Sequence, residues 1–449
     1  MEKIIYDFEE FEKKTQEILK KSKADKYILK KSKNQWKTNC SLSINHYYIG
    51  NGYNHIVFLG AVHGAEIITS EFLLYVMDEI VKNEIKFKEI LDNYTLDFIP
   101  IVNPEGYVIT TSIVRKYISR SANILEIQDK CNNYQIAYKK DDIEEKNRKN
   151  KGLEPDHNKI KKYQKMFENY TWNDIPDKYT KIKEHLKLLY DKYQIPNGAI
   201  IEWSANADGI DLNANIKYNV NLHNIEQGKI LYMPYRNSNI KYSNPGPINC
   251  PYNKENDFKV EKENIYVNSF LKELDDKNKL KAIFNYHSAG AMIYQRPSKL
   301  PQNFKCNNIN LKLKTIENYF LAKKYQSETY IDDKNKLQTQ YKIIKQEEKL
   351  ATVNDYYRIV YPMDLLIELS PIIGNPFGPY SSIINYKNTM KSNFNAIYKS
   401  IINLERISKI SNQIYKQIED AKYENNETFV KNIYKFIDEN YDKLGSELE

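Results

Sequence analysis

"GAVHGAEIITSEFLLYVMDEIV", residues 60 to 81, places a histidine and a glutamate three positions apart on the boundary between an apolar run and an amphipathic stretch. Upstream, "HIVFL" (55–59) is β-branched and aromatic and gives way to small residues, which reads as a buried strand running into a tight loop. Downstream, Leu73, Val76, Met77, Ile80 and Val81 recur at three- and four-residue spacing, which predicts a helix over about 67 to 83 with one face on a core. His63 and Glu66 therefore fall on a strand-to-helix corner. In open α/β sheets ligands bind in the crevice beyond the carboxyl ends of the strands, so this corner is a candidate site. Spacing alone does not decide it, because His-x-x-Glu recurs at His223 and Glu226 in "NLHNIEQ". That second pair follows the polar stretch "NIKYNVN", and context favours the first.

Working outward, "YTLDFIPIV" (94–102) predicts another strand, stopped by "NPEG", so that residues 55 to 110 form an α/β unit. From about 113 to 199 the chain becomes dense in Lys, Glu, Asp and Asn with scattered Tyr, Ile and Leu, which predicts a largely helical, well-solvated insertion. Strand-like runs return at "NGAIIEW" (197–203), "KAIFNYH" (281–287) and "MDLLIELS" (363–370), each ending at a polar residue. Beyond about 385 the segment "FNAIYKSIINLERISKISNQIYKQIEDAKY" has helical periodicity. The expected organisation is a single domain over 1–449, with its core in 40–112 and 200–390, the helical insertion in 113–199 and a C-terminal helical extension in 391–449.

Composition sets bounds on the function. A chain of 449 residues with 41% hydrophobic residues can bury a large core. The net charge of +8 comes from lysine spread among Asn, Ile and Tyr, without a block of basic residues and interleaved aromatics, so no nucleic-acid partner is expected. The four cysteines, Cys40, Cys131, Cys250 and Cys306, form no Cys-x-x-Cys pair and suggest neither a zinc ribbon nor a disulfide framework; a reducing compartment is the simpler expectation. The opening "MEKIIYDFEEFEKKTQEILKK" reads as an amphipathic helix without an apolar signal core, and no apolar run is long enough to span a bilayer. The expectation is a cytoplasmic protein with no membrane partner.

A hydrolytic zinc site needs three N/O ligands and an open position, and two histidines with a glutamate are one such set. His63 and Glu66 supply two, and "FNYHSAG" (284–290) offers His287 after an apolar run and before small residues. The remaining histidines, His46, His55, His157, His185 and His223, lie in polar or helical surroundings or within a strand and read as surface or packed residues. Hydrolysis also needs a carboxylate base beside the metal. Glu368 is an acid inside the apolar run "DLLIELSP", where an unpaired charge is costly, so it either faces a polar site or pairs with a buried cation.

Taken in order, "GAVHGAE", "IPIVNPEGY", "NADGIDLNAN", "YHSAG" and "LLIELSP" make the chain resemble, from about residue 40 to 390, the zinc carboxypeptidase family of carboxypeptidase A-like metallopeptidases. The resemblance implies an α/β fold, a three-layer α/β/α sandwich around a twisted mixed sheet, carrying one Zn2+ per chain and acting on a peptide substrate. By the same resemblance His63, Glu66 and His287 are metal ligands and Glu368 is the general base and acid.

The departures from that pattern direct the substrate reading. Where the family has Asn-Arg, with the arginine gripping a C-terminal carboxylate, this chain has Asn213 and Ala214. Where a basic residue often stands near the reacting carbonyl it has Ser204, and Arg115 or Arg120 at the root of the insertion are the expected substitutes. Bacterial members that look like γ-D-glutamyl-diaminopimelate peptidases also tend to lack that arginine, and are similar in "EWSANADGIDLN" and "YHSAGAMIY". The expectation is a metallopeptidase that hydrolyses γ-D-glutamyl-diamino acid bonds in peptidoglycan-derived peptides. Asn213 would orient a substrate carboxylate, Ser288 and a phenol from Tyr356 or Tyr357 would line the pocket, and Arg115, Arg120 or Arg236 would supply cationic charge. Two alternatives remain: a metallocarboxypeptidase acting on ordinary peptides, and a zinc-containing module that binds muropeptides without cleaving them.

Overall fold

The computed structural model describes residues 5–22, 26–118, 124–152, 162–193, 195, 197–215, 217–218, 231–232, 260–294, 311–329, 331–333, 336–344, 357, 361–418 and 426–445. His157, His223, Glu226, Arg120, Arg236 and Tyr356 lie outside these residues, as do Cys250 and Cys306. The strands are β1 (Lys30–Lys31), β2 (Tyr47–Ile49), β3 (Asn54–Leu59), β4 (Tyr94–Ile99), β5 (Lys217–Tyr218), β6 (Leu231–Tyr232), β7 (Leu280–Ser288), β8 (Met292–Tyr294), β9 (Ile331–Asp333), β10 (Lys336–Thr339), β11 (Lys342–Ile344) and β12 (Met363–Leu369). The first eight helices are α1 (Phe8–Lys21), α2 (Ile67–Lys82), α3 (Glu84–Asn93), α4 (Pro104–Tyr117), α5 (Ile124–Asn150), α6 (Lys162–Lys165), α7 (Thr180–Tyr193) and α8 (Lys262–Asp276). They are followed by α9 (Leu311–Glu328), α10 (Ile383–Ile402), α11 (Leu404–Ile418) and α12 (Asn426–Gly445).

Eight strands form one mixed sheet in the order β1-β2-β4-β3-β7-β12-β8-β11. Its centre, β4-β3-β7-β12, is parallel throughout. Strands of such a sheet are covered on both faces and become near-continuous apolar runs, which is what "TLDFI", "HIVFL" and "DLLIEL" show. Alternation along each strand sorts the side chains. Ile56, Phe58, Phe98, Phe284, Tyr286, Leu365 and Ile367 face the larger core, where Phe58 stacks on Phe98 (4.9 Å) and Phe284 (5.3 Å). Val57, Leu59, Ile99 and Ile283 face a second core with Val267, Leu271 and Leu274 of α8. Helices on one face, the sheet, and α8 with its loops on the other make three layers around a mixed sheet, as expected.

Three local expectations are corrected. The stretch "NGAIIEW" is a 3-10 turn over Ala199–Glu202, entered through Gly198 at φ +85°, and not a strand. Its apolar side chains Ile200, Ile201 and Trp203 are fully buried against the main core, so their hydrophobicity reports burial and not strand pairing. "NPEG" does not merely stop β4: Asn103 caps α4 by accepting from the Gly106 amide (2.8 Å) and Pro104 occupies its first turn. The 113–199 stretch is helical in α5, α6 and α7, but it is not only a solvated appendage. Cys131, Tyr134, Tyr163, Phe167, Ile182 and Leu186 are buried in the main core, where tyrosine brings large apolar rings into a sequence that reads as polar. Among the described residues no helix is long and apolar enough to cross a membrane.

Candidate metal centre

Beyond Leu59 the chain turns through Gly60 to Glu66 before entering α2. This corner is held by two neighbouring segments. The Val102 amide donates to Gly60 O (3.0 Å), the Asn103 amide to Ala61 O (3.0 Å), and the Gly64 amide to Ser204 O (3.1 Å). The Asn103 carboxamide adds bonds to the carbonyls of Val62 (3.3 Å) and Ser204 (3.2 Å). Close stacking here requires glycine: a Cβ on Gly64 would lie 2.2 Å from the Gly106 carbonyl carbon. Fully buried Glu105 accepts the amides of Cys40 (2.7 Å) and Ala207 (3.0 Å), fixing the segment that continues to Asp211.

The corner delivers His63 and Glu66 next to the end of β7, which carries His287. His63 Nδ1 lies 2.9 Å from Glu66 Oε1, and His287 Nδ1 lies 3.0 Å from Glu66 Oε2. The two rings are edge to face with centroids 4.9 Å apart. One potential ligand atom from each residue falls within 4.8 Å of the others, and among the described residues this is the single such cluster of three. The far nitrogen of His63, Nε2, is 3.2 Å from Asp211 Oδ1, whose carboxylate also accepts the Asn213 amide (2.9 Å). A carboxylate on one imidazole nitrogen fixes the tautomer that presents the other to a metal.

The electrostatics agree with a cation-binding cluster. Burial alone would push the Glu66 carboxyl up, but the imidazoles of His63 and His287 outweigh it and bring it down to about 2. Burial alone would lower His63, yet the carboxylates of Glu66 and Asp211 hold it well above the usual imidazole range. Despite the short approach of His287, Glu66 Oε2 is a buried oxygen with no hydrogen-bond partner of proper geometry. Two imidazole nitrogens and a carboxylate, one oxygen of it unsatisfied, are a donor set that fits Zn2+.

Glu368 pairs directly with His287 in the parallel β7/β12 register. Directly paired residues of a parallel ladder point to the same face, so this half-buried carboxylate stands on the histidine's side of the sheet, at its carboxyl end. Asn213 is half-buried on the short turn Leu212–Ala214, two residues from Asp211.

Three further expectations change. Arg115 lies in the last turn of α4, which starts at the site and runs away from it. It is 7% exposed and its Nη2 lies 3.7 Å from Glu10 Oε1 on α1, so it braces the N-terminal helix. Tyr357, expected as a pocket-lining phenol, is buried in the second core, 5.7 Å from the ring of Tyr361. Ser288 is buried and its hydroxyl donates to Asn375 Oδ1 (3.1 Å), so it holds a neighbouring loop. Sequence reasoning passed over Asp211, Asn103 and Asn375. Asp211 stands in the block "NADGIDLNAN", between the buried Ile210 and Leu212, but a residue on an irregular turn carries no periodic signal.

Several solved structures are similar to the chain at low identity. Carboxypeptidase A from Helicoverpa armigera is 12% identical, with a TM-score of 0.47 over 91% of this chain and 75% of that one. Bovine thrombin-activatable fibrinolysis inhibitor, solved with tick carboxypeptidase inhibitor, is also 12% identical, with a TM-score of 0.47 over 90% and 98%. A metallo-carboxypeptidase from Burkholderia cenocepacia is 8% identical, with a TM-score of 0.42 over 89% and 70%. No curated protein sequence matches the chain. The family model described as zinc carboxypeptidase matches residues 40–443, nearly the whole length and every residue of the cluster above. The chain belongs to the zinc carboxypeptidase family, and is a zinc-dependent metallopeptidase.

Proposed function

We propose that this peptidase hydrolyses the amide joining the γ-carboxyl of D-glutamate to a diamino acid such as diaminopimelate, in peptides derived from peptidoglycan. In this reading His63, Glu66 and His287 hold the zinc, and Glu368 is the base. The observation that carries the substrate is Ala214, which follows Asn213 on the turn begun by Asp211. A peptidase selecting free C-termini needs a two-pronged cation for the terminal carboxylate, and a methyl group offers none. In a γ-D-glutamyl peptide the α-carboxylate branches off beside the scissile amide, where the Asn213 carboxamide can orient it by hydrogen bonding.

When bound, Zn2+ supplies Lewis acidity towards the scissile carbonyl and towards water. Glu368 takes the proton from the attacking water and later gives it to the leaving amine, its neighbour His287 keeping it beside the reacting atoms. Asp211 holds His63 in the ligating tautomer. The test is incubation of the purified protein with L-Ala-γ-D-Glu-diaminopimelate and, separately, with blocked dipeptides ending in Phe, Leu, Lys or Arg. Release of the diamino acid with little cleavage of the dipeptides is expected. Efficient trimming of the dipeptides with the wall peptide left intact would replace this reading with that of a general carboxypeptidase.

A further inference from the structure

The family's chemistry does not account for the α5–α7 segment, yet one of its side chains reaches two segments that brace the neighbours of the metal cluster. Tyr134 of α5 is fully buried. Its hydroxyl donates to the Asn375 carbonyl (2.7 Å) and lies 3.3 Å from Glu202 Oε1.

On the first side, the Asn375 carboxamide grips the residue that follows His287: its Nδ2 donates to Ser288 O (2.6 Å) and its Oδ1 accepts from Ser288 Oγ (3.1 Å). The same loop continues from Glu368, since β12 ends at Leu369, and the Gly290 amide donates back to Ser370 O (2.8 Å). Asn375 thus ties the exit of the ligand-bearing strand to the exit of the base-bearing strand. On the second side, Glu202 also accepts from Tyr163 OH (2.5 Å), and two residues later the Ser204 carbonyl receives the Gly64 amide beside His63. Around Tyr134 the rings of Tyr163, Phe167 and Phe377 lie 5.4, 6.0 and 5.1 Å away, edge to face, so the phenol has little freedom to swing. Burial and the Glu202 charge hold both phenols well above their ordinary pKa, which keeps them donors.

We propose that Tyr134 and Asn375 are positioning residues of the metal centre, through which the α5–α7 segment sets the placement of His287 and the His63 corner. This rests on His63, Glu66 and His287 being the zinc ligands. Strand ends are otherwise free to fray, and a ligand displaced by a fraction of an ångström loses both affinity and catalytic geometry.

The experiment compares four variants of the full chain by zinc dissociation constant, by the visible spectrum of the Co2+-substituted protein, and by thermal unfolding. Tyr134→Phe deletes one hydroxyl and leaves the aromatic nest intact. Asn375→Ala removes the grip on Ser288. Phe167→Leu loosens the same nest without touching any hydrogen bond to the loops. His287→Ala tests the underlying ligand assignment.

Expected are zinc binding about tenfold weaker or more in Asn375→Ala and about three- to tenfold weaker in Tyr134→Phe, both with altered Co2+ bands. Phe167→Leu should unfold at lower temperature with wild-type zinc affinity and spectrum. If Tyr134→Phe and Asn375→Ala change only the unfolding temperature, or if Phe167→Leu weakens zinc as much as they do, the role is merely structural and the inference fails. If His287→Ala keeps its zinc, the ligand assignment fails first and takes the inference with it.

Discussion

Glu368 and His287 are direct partners in a parallel ladder, so the distance between the proposed base and the proposed ligand is set by the spacing of two strands and not by a loop. Strand spacing is among the least deformable lengths in a protein. Exchanging Glu368 for glutamine should therefore leave the fold and zinc content intact, because an amide is nearly isosteric with the carboxylate. It cannot accept a proton from water, and turnover should fall on the order of a thousandfold. Zinc analysis beside the rate on a cleavable substrate checks this, and undiminished turnover would make Glu368 a structural residue.

His63→Ala and His287→Ala should each reduce zinc from about one per chain to a trace. His223→Ala should retain it, since His63 and Glu66 stand at a strand end beside a third candidate ligand, His287, the single such cluster among the described residues. Metal analysis after dialysis decides; zinc lost with His223 and kept without His63 would reverse the choice of pair.

Asp211→Asn should weaken zinc binding about ten- to a hundredfold while leaving thermal stability of the metal-free protein nearly unchanged. The amide can still touch His63 Nε2, but it no longer stabilises the tautomer and charge that favour ligation at Nδ1. Competition with a chromophoric chelator measures the effect.

Ala214→Arg should shift cleavage from the γ-D-glutamyl peptide towards dipeptides with free C-termini, or at least slow the former by filling space beside Asn213. The ratio of kcat/KM for the two substrates is the readout. An unchanged ratio would mean that position 214 does not sample the substrate carboxylate.

Glu71 on α2 gives a pH-dependent prediction away from the metal. Burial pushes its carboxyl up to about 7, against the hydrogen bonds from Tyr380 OH (2.7 Å) and the Tyr6 amide (3.1 Å) that favour the charged form. The folded pKa lies above the unfolded one. This group's contribution is therefore complete below the unfolded carboxylate range, and is lost as pH rises towards and through 7. Glu71→Gln removes that loss, so relative to wild type it should gain about 2 kcal/mol between pH 5 and pH 8. Urea unfolding at the two pH values measures it, and parallel stability curves would contradict the assignment.

How much of this could be read beforehand depended on whether a residue's neighbours in sequence constrain it. His63 and His287 announce themselves because each follows an apolar run, and Glu66 because it stands three residues after His63 at the start of a helix; the structure brings the three together. Glu368 stands out as a charge within a buried strand. Asp211, Asn103 and Asn375 act through contacts with distant segments, and no periodicity marks a polar loop residue that meets its partner 148 positions away, as Asp211 meets His63. The run "NGAIIEW" misled for the converse reason: apolar content records burial, and whether a buried segment pairs as a strand depends on neighbours that the local sequence does not contain. Arg115 was misplaced because the direction of α4 is set by its cap at Asn103, which aims the far end of the helix away from the site.

The central place of β7 in the sheet, between β3 and β12, bears on how the protein comes to hold its metal. Glu66 and His63 leave the ribosome more than two hundred residues before His287, and Glu368 follows later still. Contacts of such separation form late in folding, after the entropy of closing a long loop has been met. A nascent chain that ends before Leu280 has two of the three donors and lacks the strand on which β3 and β12 both dock. With His63, Glu66 and His287 as the proposed donors, zinc capture is expected to follow closure of the sheet around β7.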